Sequence, residues 1–157
     1  MADPRRFGVI PPDSLRAMTG MEFLQATLDG RLPQAPIRES ARIWITGLRE
    51  GWAEFRGCPD ETQQNPFGTI QGGWYGVMLD SVMASAVISL QGRGVRVPTL
   101  EFKVNILRPI LPGQEVVATA EVLHAGRSTA VAQGEIRGVA DGRLLATGTT
   151  TCIVVPA

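Results

Sequence analysis

The sequence predicts an α+β domain in which an antiparallel sheet of five or six strands wraps around one long helix. Two patterns carry most of the prediction. Residues 71–90 are apolar over a helical length, broken only by isolated polar groups such as Asp80, Ser81, Ser85 and Ser89, so a helix there must bury most of its circumference. From Val95 onward the period changes to two: Leu100, Phe102, Val104 and Ile106 alternate with Thr99, Glu101, Lys103 and Asn105, the pattern of a half-buried strand. Strands and helices also fall in blocks rather than alternating, which removes the need for a parallel sheet.

Taken in order, the segment to Pro12 carries Pro4, Pro11 and Pro12 and is expected to run irregularly over the surface. Asp13 or Ser14 caps a helix through Leu15, Met18, Phe23, Leu24 and Leu28 that ends at Gly30 and Pro33; the spacing predicts a peripheral amphipathic element. Residues 37–46 and 51–56 read as a hairpin of two strands joined around Leu48-Arg49-Glu50-Gly51. Residues 58–70, with Pro59, Asn65-Pro66 and Gly68, form a loop leading into the long helix at Gln71. After the strand ending at Ile106, three more are expected near 115–124, 128–137 and 144–155. Leu111-Pro112-Gly113, Ala125-Gly126-Arg127 and Asp141-Gly142 punctuate them, giving an antiparallel meander. Residues 1–36 are therefore read as an extension bearing an extra N-terminal helix, and residues 37–157 as the main domain.

Composition narrows function. The 157 residues hold 44% hydrophobic and 19% charged residues, outside the range of disordered chains. Lys plus Arg and Asp plus Glu are 15 each, so no global field exists to hold nucleic acid or an anionic membrane. Cys58, Cys152 and the single histidine, His124, are too scattered for a zinc site; no metal and no cofactor are expected. No secretory leader pattern opens the chain, and the polar groups of residues 71–90 argue for a buried soluble helix over a membrane span. A cytoplasmic protein is expected.

Between Glu61 and Arg93 the only charged or titratable Asp, Glu, Lys, Arg or His is Asp80, in the middle of the helix that must be buried. An isolated carboxylate there is costly unless hydrogen bonds, water or a ligand meet it. Gly73 and Gly76 thin the face around it, which would leave room for a substrate, while pairing with a cation from a neighbouring strand is the structural alternative. Gln71-Gly72-Gly73 opens the helix, where unpaired N–H groups converge with the positive end of the helix dipole. The N–H of Gly72 or Gly73 could serve a carbonyl that becomes anionic in the transition state; tight helix–sheet packing would equally explain the glycines.

The motif Asn65-Pro66-x-Gly68-x-x-Gln71-Gly72-Gly73, followed by Leu79-Asp80, resembles the active-site segment of PaaI-like hotdog-fold acyl-CoA thioesterases, a group that includes enzymes acting on aryl-acyl thioesters. Ile106-Leu107-Arg108-Pro109 and His124-Ala125-Gly126-Arg127-Ser128 resemble later parts of the same family, and the match runs over residues 37–155. The resemblance implies a hotdog fold and thioester hydrolysis, with Asp80 as nucleophile or as general base toward water. It implies that the Gly72 N–H polarises the carbonyl and that Asn65 positions the carbonyl or the lytic water, commonly across a subunit interface. On the resemblance Arg127 and Ser128 would meet the phosphates of coenzyme A, for which Arg108 and Arg93 are further candidates because guanidinium groups donate well to phosphate, and Gly73 is a candidate contact of the coenzyme; a solvated turn is the alternative for these residues, and a homodimer or homotetramer is implied. Gln71 stands where the family most often has histidine; an amide can donate a hydrogen bond but supplies no proton near neutrality. Trp74, Tyr75 and Met78 are candidates for the acyl pocket or simply for core. The competing expectation is an acyl-CoA-binding module without chemistry.

Overall fold

The computed structural model describes residues 5–156. Its main sheet has six antiparallel strands in the order β1-β2-β5-β6-β7-β4. These are β1 (Ile43–Arg49), β2 (Trp52–Gly57), β4 (Thr99–Ile106), β5 (Val116–Ala125), β6 (Thr129–Gly138) and β7 (Leu144–Ile153). The long helix, here α4 (Gly72–Ile88), packs against these strands through Tyr75, Met78, Leu79, Val82, Met83 and Val87. No helix among the described residues is long and apolar enough to cross a membrane.

The expected sheet around a central helix is present, but the meander is not continuous. β5, β6 and β7 follow one another, whereas β4 pairs with β7 at the far edge. α4 lies between β2 and β4 in the chain and contacts every strand of the sheet, so it returns the chain at the edge opposite β1. Residues 37–46 are likewise not a strand throughout. Pro36 opens a short helix, α3 (Pro36–Ala41), and Arg42 closes it with a left-handed φ of 55°. Proline is favoured at the first helical position, and Ile37 and Ala41, one turn apart, give the segment a helical rather than an alternating period. Arg42 then anchors the next loop, its Nε donating to the Cys58 carbonyl at 2.8 Å and its Nη1 pairing with Asp60.

The N-terminal helix is split into α1 (Pro12–Arg16) and α2 (Gly20–Leu28). Thr19 caps α2 reciprocally with Glu22, which starts a new helix. Gly20 lies so close to α4 that a Cβ would sit 1.7 Å from the Ile88 carbonyl oxygen; only glycine fits. Leu24, Ala26 and Thr27 are buried, so α2 is part of the core rather than peripheral. The described part of the opening segment is also tied down, since Gly8 N–H donates to the Gln34 carbonyl and Gln34 N–H to the Arg6 carbonyl; Pro4 lies outside the described residues. A small second sheet pairs β3 (Val95–Arg96) with β8 (Val155–Pro156).

Candidate active site

Asp80 is half-buried midway along α4, and its Oδ1 accepts a hydrogen bond from Thr99 Oγ1 at 2.8 Å. Strict alternation along β4 would put Thr99 on the outer face with Glu101 and Lys103. A bulge between Thr99 and Glu101 changes this: Thr99 pairs with the inward-facing Cys152, while Glu101 pairs with Thr151. One extra residue reverses the facing of everything before it, which aims Thr99 at the helix. The Thr99 hydroxyl is the site residue that sequence reasoning missed, because only the irregular pairing of β4 with β7 reveals its direction. Behind it, burial pushes the Cys152 thiol above its ordinary range, against hydrogen bonds from Thr150 and Thr99.

No strand cation pairs with Asp80 among the described residues. The cation that interacts with it electrostatically is Arg38 on α3, stacked over the Phe55 ring at 4.6 Å. Burial lowers the Arg38 guanidinium to about 10, while the Asp80 carboxylate acts in the opposite direction. Its Nε is buried without a hydrogen-bond partner. The room expected beside Gly76 is occupied: a Cβ there would meet the Phe102 ring at 3.2 Å. Gly73, by contrast, faces open space.

A second cluster gathers at the start of α4. Gly72 is its first residue and Gln71 its N-cap, with no capping bond from the Gln71 side chain. A cavity of about 360 Å³ adjoins Asn65, Gly72, Tyr75, Ile106 and Arg108. Asn65 spends its side chain on its own loop, Oδ1 accepting from Phe67 N–H at 2.8 Å and Nδ2 donating to Thr69 Oγ1 at 2.8 Å. The Tyr75 hydroxyl accepts from Ile110 N–H at 2.8 Å and donates to the Arg108 carbonyl at 3.3 Å, and burial raises its pKa. Trp74 ties α4 to α3 through a 2.7 Å bond from Nε1 to the Ala41 carbonyl, and Met78 is core.

The sequence-derived residues thus fall into two groups. Eight positions separate Gly72 from Asp80 along α4, roughly 12 Å at about 1.5 Å per residue, too far for one carbonyl to touch both. Arg108 accompanies Gly72, its Nη1 donating to the Leu144 carbonyl at 2.6 Å. Arg127 and Ser128 are exposed in the β5–β6 turn, beside Ala130, which pairs with Cys152 and so lies at the Thr99 end.

A family model described as the thioesterase superfamily matches residues 67–152, from the Asn65 loop through most of β7. The chain belongs to the thioesterase superfamily. Its solved relatives share the hotdog arrangement of sheet and helix just described. A phenylacetic acid degradation-related protein from Ralstonia eutropha aligns over 83% of this chain and 98% of that one, at 29% identity and a TM-score of 0.77. A thioesterase from Haemophilus influenzae aligns over 76% and 82%, at 27% identity and a TM-score of 0.71. A thioesterase protein from Streptococcus pneumoniae, solved with coenzyme A, aligns over 76% and 91%, at 25% identity and a TM-score of 0.69. Among curated thioesterases, acyl-coenzyme A thioesterase 13 of Mus musculus is 28% identical over 92 residues, 59% of this chain; the chain spans 65% of that relative's length.

Proposed function

We propose that this protein hydrolyses acyl-coenzyme A thioesters, aryl-acyl thioesters included, at a site built between two copies of the chain. The observation that carries the reading is the Asp80–Thr99 pair on one end of β4 and the Gly72 helix start at the other. β4 is an edge strand with one side of its ladder unpaired, and Leu100, Phe102 and Ile106 are 58%, 46% and 48% exposed. Antiparallel pairing of two β4 edges about a two-fold axis at Lys103, with Leu100 as the extra residue of the bulge, would bring residue 99 of one copy opposite residue 106 of the other. Ile106 already adjoins Gly72, whose Cβ position is 3.5 Å from Ile106 Cδ1. That pairing therefore carries the Gly72 N–H of one copy toward the Asp80 carboxylate of the other.

In such a site the Gly72 N–H polarises the thioester carbonyl and receives the negative charge of the tetrahedral intermediate. Thr99 fixes Asp80 Oδ1, leaving Oδ2 to attack the carbonyl carbon or to take a proton from the attacking water. In the first case the C–S bond breaks to release the thiolate and leave a mixed anhydride on Asp80, which water then hydrolyses to the free acid, a proton of that water going to the thiolate; in the second the C–S bond breaks as the intermediate collapses, and the proton held by Asp80 passes to the departing thiolate. Asn65 supports the carbonyl or water through the Nδ2 proton that it does not give to Thr69, and Gln71, whose amide makes no hydrogen bond among the described residues, donates to substrate without supplying a proton. Gly73 leaves backbone room for the coenzyme chain, and Arg127, Ser128 and Arg108 meet its phosphates, which guanidinium and hydroxyl groups bind well. A homodimer is the minimal unit, and a tetramer is compatible with it.

The test is thiol release from short, medium, long and arylacetyl-CoA by the native protein and by Asp80→Asn, with sedimentation of both. Release lost in a folded, dimeric variant supports the assignment. Equal release by both proteins, or a stable monomer that turns over substrate, defeats it, and binding without release from any thioester favours an acyl-CoA-binding module.

A further inference from the structure

A cavity of about 370 Å³ lies at the other end of α4, lined by Leu15 and Met18 from the N-terminal extension, Phe23 of α2, Ile88 of α4, and Val95 and Val97. Its size is at the lower end of ligand pockets, about 300–1,000 Å³. Arg16 and Arg96 also border it but are exposed, so their charges face water and the interior is apolar. Two of its lining segments are close along the chain to the Asp80–Thr99 pair. Ile88 is eight residues beyond Asp80 on the same helix, roughly 12 Å at about 1.5 Å per residue. Val97 precedes Thr99 by two residues, roughly 7 Å along an extended chain. Between Asp80 and Ile88 the residues of α4 left partly uncovered are Ser81 and Ala84, both small, so this side of the helix offers a low-walled lane from the carboxylate to the crevice.

We infer that this crevice receives the distal end of a straight-chain, medium-length acyl group whose thioester carbonyl lies at Asp80. The inference rests on the thioesterase reading and names its substrate class. With C–C bonds of about 1.5 Å, a zigzag chain advances roughly 1.25 Å per carbon, so about ten carbons span the distance from Asp80 to Ile88. Shorter chains stop in the lane; chains of about eight to twelve carbons reach Leu15, Met18 and Phe23. The N-terminal extension is thereby a wall of the acyl site, supplying three of the apolar contacts.

The experiment measures kcat/KM of the dimeric native protein for saturated acyl-CoA thioesters from butanoyl to dodecanoyl, and repeats it for Leu15→Trp and Met18→Trp. Leu15 is on a helix that buries none of its residues, so its replacement fills the crevice with little risk to folding. Native kcat/KM is expected to rise up to about fourfold per methylene over the lengths that enter the crevice, and the decanoyl-to-butanoyl ratio to fall at least tenfold in either variant. A flat native profile, or variants that lose all chain lengths in proportion, overturns the inference. Binding to Asp80→Asn, measured by calorimetry, separates the two readings. If no thioester is hydrolysed but decanoyl-CoA binds more tightly than butanoyl-CoA, with the difference abolished by Leu15→Trp, the crevice stands and hydrolysis falls. Equal binding of both thioesters overturns the crevice.

Discussion

Replacing Gly72 with proline removes one N–H and leaves the helix start otherwise intact. Residue 72 is the first of α4, where the helix makes no use of the N–H and proline's fixed φ is already suitable. Gln71 has φ −60° and ψ 140°, the extended region that a residue before proline adopts, and a Cβ at position 72 meets Ile106 only at ordinary contact distance. Gly72→Pro should therefore keep its melting temperature while kcat falls about 10²- to 10³-fold, the loss of a single oxyanion donor, with KM little altered. The shared-site geometry adds a quantitative consequence. Asp80→Asn and Gly72→Pro chains, each inactive alone, are refolded together in equal amounts. Half the dimers are then mixed, and each mixed dimer has one site carrying both defects and one carrying neither, so about a quarter of native turnover returns. Thiol release from the mixture measures it. No recovery, in mixtures shown by mass spectrometry to contain mixed dimers, would refute the split site; Gly72→Pro within threefold of native kcat would refute the oxyanion role.

Thr99→Val deletes the hydroxyl that holds Asp80. A hydrogen bond to a charged group contributes about 1.5–3 kcal/mol, so kcat should drop roughly 10- to 150-fold while Thr99→Ser retains most of it; equal activity of the two variants would contradict the positioning role. Tyr75→Phe strips the buried Ile110 N–H of its acceptor, at about 1–3 kcal/mol. With about 2–4 °C per kcal/mol for a domain of this size, calorimetry should register a melting point lower by several degrees. Arg38→Met exchanges a half-buried guanidinium, whose buried Nε has no hydrogen-bond partner, for an apolar chain over Phe55. The lost cation–π contact is worth about 0.5–2 kcal/mol, and removing the unsatisfied buried Nε donor gains about 1–3 kcal/mol, so thermal unfolding should shift upward or stay level; a clear fall would mean that Arg38 has a partner in the assembled protein.

Local signals were read correctly where the chain's own neighbours decide the structure. The apolar run after Gln71, the turn at Glu50-Gly51 and the hairpin turns near Gly126 and Gly142 need no distant contact to specify them. Errors arose where distant contacts decide. α3 is a helix because Pro36 nucleates it and Arg42 turns left-handed, although Ile43 to Ile45 continue in strand period immediately afterward. The single helix expected through Leu15 to Leu28 is broken at Thr19, which caps α2, and Gly20 packs against the Ile88 carbonyl where only glycine fits. Thr99 is the sharpest case. Its neighbours alternate faithfully, yet a bulge specified by pairing with β7 turns it from the outer face to Asp80, and nothing within 99–106 encodes that partner. The Asp80 and Gly72 signals were visible because an unpaired carboxylate in an apolar helix and glycines at its start are anomalies against local expectation.

The same edge strand unites the sheet problem with the catalytic one. A lone β4 leaves backbone N–H and C=O groups unpaired beside exposed Leu100, Phe102 and Ile106, an arrangement prone to uncontrolled edge association. Proteins commonly cover such edges with charge, proline or a helix, and β4 has only Glu101 and Lys103, both on its outer face. Self-pairing about a two-fold axis satisfies the β4 ladder, covers the apolar row and closes growth at that edge, since each copy then has no second β4 to offer. On the proposed register that single act also joins the halves of the reaction centre, which the roughly 12 Å between Gly72 and Asp80 along α4 keeps apart within one chain. Catalysis and assembly then share one equilibrium: dilution that separates the copies removes activity in proportion, and any substitution that weakens the β4 edge lowers turnover even though Asp80, Thr99 and Gly72 remain in place.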